Sequence, residues 1–435
     1  MHENCHKDCV PRAEFEKLYA EVVELRKLVQ ILMSPHIPSS KQIIKEKEEP
    51  KEPKKLGAPE GHKGATRKTP MPNRIINHEK PSCCIKCNSQ NLKIKQRKKI
   101  IEDIIIIPDI AEINYFDCSC KDCGKMFETT SLELPPHGKF GPNITALWAN
   151  MHYIGTIPFK RLSTISTECF STNITPSGIM NAVYRTSKTF EPEFEVIKEN
   201  VKKSDYAGSD ETKYSDSWLW NISTRTDVLV LMRNTRSSRV LIEVFGERYS
   251  GILNSDCFSA YEKYEADEYQ KCWAHILQDA EDLAKHNHEG KELYKDLSRM
   301  YKYIKRTKEN KEEDSEKAKF WTWRQKQKMK SWINESYESK AVLNLVLRIN
   351  KYLDQWFTCL KYDFVEPTNN TREREIRKNV ISRKISGCHR SDKGKRAREI
   401  MMSNILTIKK KGETPFEFIQ NTIKNHNLGI VNQGF

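Results

Sequence analysis

The spacing of hydrophobic residues predicts an amphipathic helix near the start of the chain. Between residues 13 and 33, apolar positions recur in steps of three and four, with Glu and Lys between them. These positions are Phe15, Leu18, Val22, Leu25, Val29 and Leu32. The pattern favours a short coiled coil that pairs two copies of the chain, and the alternative is a helix packed on the chain's own body.

Residues 140–198 carry helical patterns interrupted by Gly, Pro, Ser and Thr. The segments are FGPNITALWANMHYIGT, PFKRLSTISTECF and TPSGIMNAVYRTSKTF. Thr175 followed by Pro176 is a typical helix start, because Pro fits the first helical position. Short helices joined by tight turns indicate either a helix-turn-helix unit, with its last helix in a major groove, or an ordinary helical connector.

From residue 204 the pattern changes to short β-strands rich in aliphatic and aromatic residues. The predicted strands are YAGSDETKY, SWLWNIST, DVLVLMRN, GILNSD and EYQKCWAH, with a helix in SSRVLIEVFGERY after the third. Three strands, a helix, a strand, a short helix and a strand is the order of a ribonuclease-H-like core. In that core the first strand is central and the fourth lies beside it. The predicted fold class is therefore multidomain α/β with a mixed sheet.

Two acidic residues fall where this topology would bring them together. Asp210 lies in the first predicted strand, and Asp256 ends the fourth. Two carboxylates held side by side need a divalent cation between them, or one of them must take a proton. Hard carboxylate oxygens suit Mg²⁺ or Mn²⁺.

A third acid, Glu373, lies in a helix predicted to start near Asn370, after Pro367. We expect Glu373 to join the two aspartates from one turn inside this helix. The alternative is structural, because Asn370 as the N-cap with Glu373 three residues later is the pattern of a capping box, which needs no metal.

A Lys-rich segment between His275 and Glu373 predicts an α-helical insertion in the core. Its tryptophans and spaced leucines mark it as folded. Immediately before it, Cys272 and His275 form a C-x2-H pair. We interpret this pair as a packing and hydrogen-bonding element rather than a zinc site, because only two ligands are evident.

The cysteines cluster in a manner typical of a zinc ribbon. The pair Cys84-x2-Cys87 is followed by Cys120-x2-Cys123, and the intervening IIEDIIIIP and AEINYFDCS are predicted strands. If each cysteine pair lies on a tight turn, the two turns can place four thiolates around one structural Zn²⁺. The alternative is a set of buried free cysteines. A second, weaker group of possible ligands stands at the N-terminus and comprises His2, Cys5, His6 and Cys9.

Composition points to a polyanionic partner. Lys and Arg total 74 against 59 Asp and Glu, a surplus of +15, and the first residues show no secretory signal. No apolar run is long enough to span a bilayer. Residues 369–411 hold 14 basic and 4 acidic residues, which is 14 − 4 = +10. This bias indicates a phosphate-binding surface in which Arg377, Arg383 and Lys384 contact DNA, and the alternative is a solvated basic helix.

These blocks resemble the transposases of the insertion sequence 66 family, which belongs to the DDE group of mobile elements. The matching blocks are SDET around Asp210, NSDCFSAY around Asp256, CWAH at 272–275 and NNTREREIRKNVISRKISG around Glu373. The resemblance implies that Asp210, Asp256 and Glu373 form a catalytic triad that holds two Mg²⁺ or Mn²⁺ ions and performs DNA strand cleavage and strand transfer. Cys257 and Phe258 depart from the family pattern, but the three acids themselves are all present.

The predicted organisation has eight parts in chain order. They are an N-terminal helix (1–39), a basic flexible linker (40–72), a zinc ribbon (73–136), a helical DNA-binding domain (137–198), the first part of the catalytic core (199–277), an α-helical insertion (278–365), the last part of the core (366–390) and a basic C-terminal helical region (391–435).

The predicted function is that of a DDE transposase acting on double-stranded DNA, both at its element's terminal repeats and at target DNA. We expect a homodimer or higher oligomer on DNA, no membrane association, and a prokaryotic cytoplasmic, nucleoid-associated protein. The rival hypothesis is a DNA-binding regulator that derives from a transposase and has lost catalysis. A third is a nuclease of the same fold that cuts DNA without joining it.

Overall fold

A computed structural model describes residues 70–387, 389 and 391–428. The predicted N-terminal helix, its His and Cys group and nearly all of the linker at 40–72 lie outside the described residues. The chain divides into two compact units. One covers Ile44–Ile110, and the other includes Ala111–Phe435.

The described part of the first unit, residues 70–110, contains a turn around Cys84 but no regular strand. The amide of Asn88 donates to the carbonyl of Cys84 at 2.9 Å, and the amide of Cys84 donates to Ser89 at 2.8 Å. The strand predicted for IIEDIIIIP is wrong, because residues 100–108 form no ladder and their isoleucines are exposed. An apolar run becomes a strand only where a second strand satisfies its backbone groups.

A small hairpin surrounds the second cysteine pair. Strands β1 (Asp117–Ser119) and β2 (Met126–Glu128) pair antiparallel, with Asp117 opposite Glu128. The strand predicted for AEINYFDCS is therefore confirmed in its last three residues. The connecting turn contains Cys120 and Cys123.

Four helices follow, and three of them match the predicted helical segments. They are α1 (Pro142–Tyr153), α2 (Phe159–Phe170), α3 (Pro176–Thr189) and α4 (Glu191–Lys203). The Thr175 side chain caps α3 by accepting a hydrogen bond from the amide of Gly178 at 3.1 Å. Trp148, Ile179 and Phe194 from this block join the same hydrophobic cluster as the β-sheet residues, so the block shares its core with the sheet.

A five-stranded mixed sheet forms the centre of the second unit. Its strands are β3 (Tyr206–Tyr214), β4 (Ser217–Ser223), β5 (Val228–Arg233), β6 (Arg248–Ser255) and β7 (Glu265–Lys271), with helices α5 (Arg239–Phe245) and α6 (Ser259–Glu262) on either side of β6 in sequence. The spatial order is β5-β4-β3-β6-β7. Strands β4 and β5 run antiparallel to their neighbours, whereas β6 lies parallel to β3 and β7 parallel to β6. The structure confirms the mixed α/β class and the central place of β3.

A helical segment separates β7 from the next helix of the core. It consists of α7 (Trp273–Ala284), α8 (His288–Asn310), α9 (Glu316–Ser331) and α10 (Lys340–Lys351), followed by two short 3₁₀ turns. Its apolar residues form a second cluster that includes Trp332 and Trp356, while Trp323 is largely exposed. Among the described helices, none combines the length and the apolar character that a membrane span needs.

Three helices complete the chain, namely α11 (Asn370–Ser386), α12 (Asp392–Lys410) and α13 (Pro415–Asn427). Side chains of helix α12 accept hydrogen bonds from the backbone amides along the outer edge of β5. The amides of Val228, Val230 and Met232 donate to Thr407 Oγ1 (3.0 Å), Ser403 Oγ (2.8 Å) and Glu399 Oε1 (2.7 Å), respectively. Four residues of an α-helix rise about 6 Å, and two residues of a strand rise about 6.6 Å. Every second backbone amide of β5 therefore lies beside a side chain from every fourth position of α12. The predicted basic C-terminal region is therefore in part core.

Removal of the Ser403 hydroxyl tests this edge contact. We expect Ser403→Ala to lower the free energy of unfolding by about 1–3 kcal/mol, because the buried amide of Val230 loses its acceptor. Urea unfolding followed by circular dichroism measures the change. Thr167→Ala, on an exposed face of α2, is the control and should change stability by less than about 0.5 kcal/mol. Equal stability of Ser403→Ala and wild type would contradict the role given to α12.

Candidate functional site

The parallel pairing of β3 with β6 places Asp210 and Asp256 at the same level of the sheet. The register matches Gly208 with Asn254. Asp210 lies two residues beyond Gly208, and Asp256 lies two residues beyond Asn254 and directly after the end of β6. Because side chains on a strand alternate with a period of two, these residues lie at equivalent positions of neighbouring strands. Both aspartates are partly buried.

The start of α11 brings Glu373 to the same end of the sheet. The N-cap residue Asn369 is fully buried, and its side-chain amide donates to the carbonyl of Ser209 in β3 at 3.0 Å. Its backbone amide donates to the sulfur of Cys272 at 3.0 Å. No side-chain capping hydrogen bond forms at this helix start, so the capping-box alternative for Glu373 is wrong. The Glu373 side chain is 44% exposed.

The segment before α11 is fixed on both sides. The Asn254 side chain of β6 donates to the carbonyl of Glu366 at 2.8 Å. The amide of Trp273, the first residue of α7, donates to the carbonyl of Pro367 at 3.0 Å. The first turn of α11 is therefore attached to the sheet and to the insertion at once.

A buried arginine locks the same turn against β3. Arg372 pairs with Glu366, and its guanidinium lies 5.1 Å from the ring centre of Tyr206. A Cβ at Gly208 would fall 2.1 Å from Nε of Arg372, so only glycine leaves room for this side chain. Arg372 is thus a structural residue, although it belongs to the segment predicted to bind phosphates.

Burial and the mutual repulsion of acids determine the electrostatics of the site. Burial, followed by the negative charges of Glu211, Asp256 and Glu373, raises the pKa of Asp210 well above its ordinary value, while His275 acts in the opposite direction. Burial and like charge both favour the neutral acid. A divalent cation would supply the missing positive charge, and the three carboxylates offer the hard oxygen donors that Mg²⁺ or Mn²⁺ prefers.

Two neighbouring residues that the sequence did not single out lie beside the acids. Glu211 is buried and accepts hydrogen bonds from Arg236 and Tyr261, which turn its carboxylate toward those partners. Lys271 is buried at the end of β7 and donates to the carbonyl of Asp256 at 2.9 Å. Burial lowers the pKa of Lys271. A lysine at the end of a strand, directly before Cys272, was the available sequence signal.

The C-x2-H pair stands beside Glu373. One donor atom from each of Cys272, His275 and Glu373 lies within 4.8 Å of the other two. Within the described part of the chain, no other set of three or more His, Cys, Asp or Glu side chains is close enough to share one metal ion. His275 Nε2 is 3.8 Å from Glu373 Oε1. Burial lowers the pKa of His275, but the Cys272 sulfur and the carboxylates of Asp256 and Glu373 outweigh it and raise the pKa to about 10. Asp256 contributes charge to His275 without belonging to this tighter group, and Asp210 lies outside it as well.

The predicted DNA-contacting residues differ in exposure. Arg377 and Lys384 are exposed on α11. Arg377 follows Glu373 by four residues and Lys384 follows Arg377 by seven, and this spacing keeps all three on one helix face. Arg383 is buried, with 3% of its surface exposed. We therefore correct the prediction for Arg383, because a buried guanidinium cannot reach a phosphate from this position. Arg398 is fully buried as well, so part of the basic surplus belongs to the core.

Each cysteine pair, taken by itself, has a turn that stabilises a thiolate. The amides of Lys86 and Cys87 lower the pKa of Cys84. In the other unit, the amides of Cys123 and Asp122 lower the pKa of Cys120. Backbone N–H groups directed at sulfur favour the form that binds metal.

Comparison with known proteins assigns a family to this part of the chain. Residues 137–397, which are more than half of the 435, match the family model described as Transposase IS66 family. No curated protein matches the chain. The matched range contains Asp210, Asp256 and Glu373, together with the sheet and the insertion that position them.

The raised pKa of Asp210 makes a pH-dependent cation affinity the expected behaviour. A cation bound by the Asp210 carboxylate would compete with protons for it, so its affinity should rise with pH, by up to about tenfold per unit for one displaced proton, until the pH passes the raised pKa. Calorimetric Mg²⁺ titrations of chelator-treated protein at several pH values measure this slope. Asp210→Asn removes the titrating group and should flatten it, and a wild-type affinity that falls with rising pH would contradict the assignment.

Proposed function

Since the chain belongs to the IS66 family of transposases, we propose that it binds the ends of a mobile element and catalyses metal-dependent DNA cleavage and strand transfer through Asp210, Asp256 and Glu373. The family resemblance found in the sequence is confirmed. The observations that support the proposal are the neighbouring positions of Asp210 on β3 and Asp256 after β6, and the effect of the Glu373 charge on Asp210.

We propose further that the sheet and its flanking helices form a ribonuclease-H-like core. The order β5-β4-β3-β6-β7, with β3 central and β6 parallel beside it, supports this assignment. The helical insertion then lies between the second and third acids in sequence, and its first helix, α7, shares an anchor with α11 through Pro367.

Asp210, Asp256 and Glu373 would hold two Mg²⁺ or Mn²⁺ ions. Ions held there would polarise a phosphodiester and lower the pKa of an attacking water. Asp210 would contribute its carboxylate oxygens in the deprotonated form. Lys271 fixes the backbone of Asp256 through its carbonyl, and Arg236 keeps Glu211 directed away.

The chain's own residues orient the DNA for two successive reactions at this one site. Hydrolysis frees a 3′-hydroxyl at the element end, and that hydroxyl then attacks a phosphodiester of target DNA. Neither reaction needs a covalent bond between protein and DNA, so no Ser or Tyr nucleophile is required. Arg377 and Lys384, on the face of α11 that carries Glu373, would neutralise phosphates on either side of the scissile bond.

The other parts of the chain retain the roles predicted from sequence. The helices α1–α4 would contact duplex DNA as a helix-turn-helix-like unit, and the protein would act as a homodimer or higher oligomer at element ends. Cys84, Cys87, Cys120 and Cys123 would hold one structural Zn²⁺, which the lowered pKa of Cys84 and of Cys120 supports. We place its action at the DNA of a prokaryotic cell.

Replacement of single acids tests the triad. Asp256→Asn or Glu373→Gln should reduce Mg²⁺-dependent cleavage of labelled terminal-repeat DNA by about 10³-fold or more, which corresponds to about 4 kcal/mol of lost transition-state stabilisation. DNA affinity, measured by gel shift, should change little. Gel analysis of cleaved and joined products separates the two reactions.

Glu375→Gln is the matched control on the same helix. Glu375 accepts a hydrogen bond from Asn221 at 2.8 Å and pairs with Lys410, so it lies outside the proposed site. Cleavage by this variant should stay within a few-fold of wild type. Strand transfer that survives Asp256→Asn would refute the triad, binding without any wild-type cleavage would favour the inactive regulator, and cleavage without joining would favour a nuclease.

Zinc content tests the predicted ribbon. Cys84→Ser combined with Cys120→Ser should lower the zinc bound per chain by one ion, because two of the four proposed thiolates are lost. Atomic absorption after dialysis measures the change, and Cys169→Ser, an exposed cysteine on α2, is the control. Unchanged zinc in the double variant would refute the ligand set.

A further inference from the structure

Three donors of different chemical type converge next to the proposed catalytic site. Cys272 is the N-cap of α7, His275 lies one turn further, and Glu373 lies in the first turn of α11. Their sulfur, imidazole nitrogen and carboxylate oxygen lie within 4.8 Å of one another. The sequence offered only the C-x2-H pair, and the third donor is supplied by the fold.

The backbone around these donors is held in place before any ligand arrives. The sulfur of Cys272 is buried and accepts the amide of Asn369, so it already has one N–H directed at it. The starts of α7 and α11 are tied together by the hydrogen bond from Trp273 to Pro367. Hydrogen bonds of this kind orient metal ligands and strengthen their binding.

The charge around the group favours a cation. Asp256 adds negative charge beside the three donors, whereas Arg236 is already paired with Glu211. A protonated His275 would provide one counter-charge in the form of an ion pair with Glu373. A divalent cation would provide two charges and would also use the sulfur.

The donor types select the class of cation. Thiolate and imidazole are softer ligands than carboxylate and prefer Zn²⁺ over Mg²⁺. Three protein ligands with an open fourth position is the usual arrangement of a non-structural zinc site. The partly exposed Glu373 leaves that position accessible to water or to a neighbouring carboxylate.

We propose that Cys272, His275 and Glu373 bind a thiophilic divalent cation such as Zn²⁺, at a site that shares Glu373 with the carboxylate centre. Zinc at this site withdraws Glu373 from Asp210 and Asp256. On the proposed function, zinc is therefore an inhibitor of Mg²⁺-dependent cleavage. Zinc binding itself does not depend on that function.

Zinc stoichiometry of the full-length protein tests the site without reference to activity. After equilibration with buffered Zn²⁺, wild type should hold one ion more per chain than Cys272→Ser or His275→Ala. Cys359→Ser is the matched control, because Cys359 is equally buried but lies outside the group, and it should retain the wild-type count. Cys84→Ser should lower the count separately, so the ribbon and this site are distinguished.

Thermal unfolding by circular dichroism shows which variants are folded. If Cys272→Ser does not fold, the zinc count of His275→Gln tests the site. A wild-type zinc count in folded Cys272→Ser and His275→Gln would overturn the site.

Zinc titration of cleavage then tests the shared ligand. The Zn²⁺ concentration that halves the rate, measured against each protein's own zinc-free rate, should rise about tenfold or more in His275→Gln and stay unchanged in Cys359→Ser. Equal inhibition of both variants would overturn the sharing of Glu373. A protein that never cleaves DNA would refute the proposed function and leave the zinc count as the test of this site.

Discussion

The position of Glu373 depends on one buried asparagine. Asn369 donates from its side chain to β3 and from its backbone to Cys272, and so joins the central strand, the insertion and α11 at a single residue. These two hydrogen bonds act together with Arg372, which packs against Tyr206 and Gly208, to fix the first turn of α11 relative to β3. The exposed carboxylate of Glu373 has little packing of its own, so its location is set by the backbone that carries it. The convergence of the three acids therefore rests on backbone anchoring.

Repulsion between buried acids is the second constraint on the site. Burial first, and then the negative charges of Glu211, Asp256 and Glu373, raise the pKa of Asp210 above its ordinary value. Arg236 compensates Glu211 and Lys271 holds the backbone of Asp256, yet neither pairs with the carboxylate of Asp210. The divalent cations that we propose at this end of the sheet would offset this cost. The same surplus makes a softer cation at His275 a competitor for Glu373.

Local patterns predicted the strands of the sheet and many of the helices, but not how these elements pack together. The segment YAGSDETKY coincides with β3, and Asp256 does follow the fourth strand of the sheet, because alternating apolar residues and turn signals are local properties. The isoleucine run at 104–107 has the same local character but forms no strand, since pairing needs a partner from elsewhere in the chain. The role of α12 along β5 was equally hidden, because Ser403 and Thr407 look like ordinary helix residues.

The sequence by itself determined the element order, the spacing of the cysteine pairs, the three candidate acids and the family. Each of these depends on residue type and on short separations along the chain. The tertiary structure decided which charges are available. It buries Arg383 and exposes Arg377, both of which lie on α11, and it adds Glu373 to the Cys272 and His275 pair. The reason is physical: burial and convergence arise from packing between segments distant in sequence, and no local pattern records which helix face will meet the sheet.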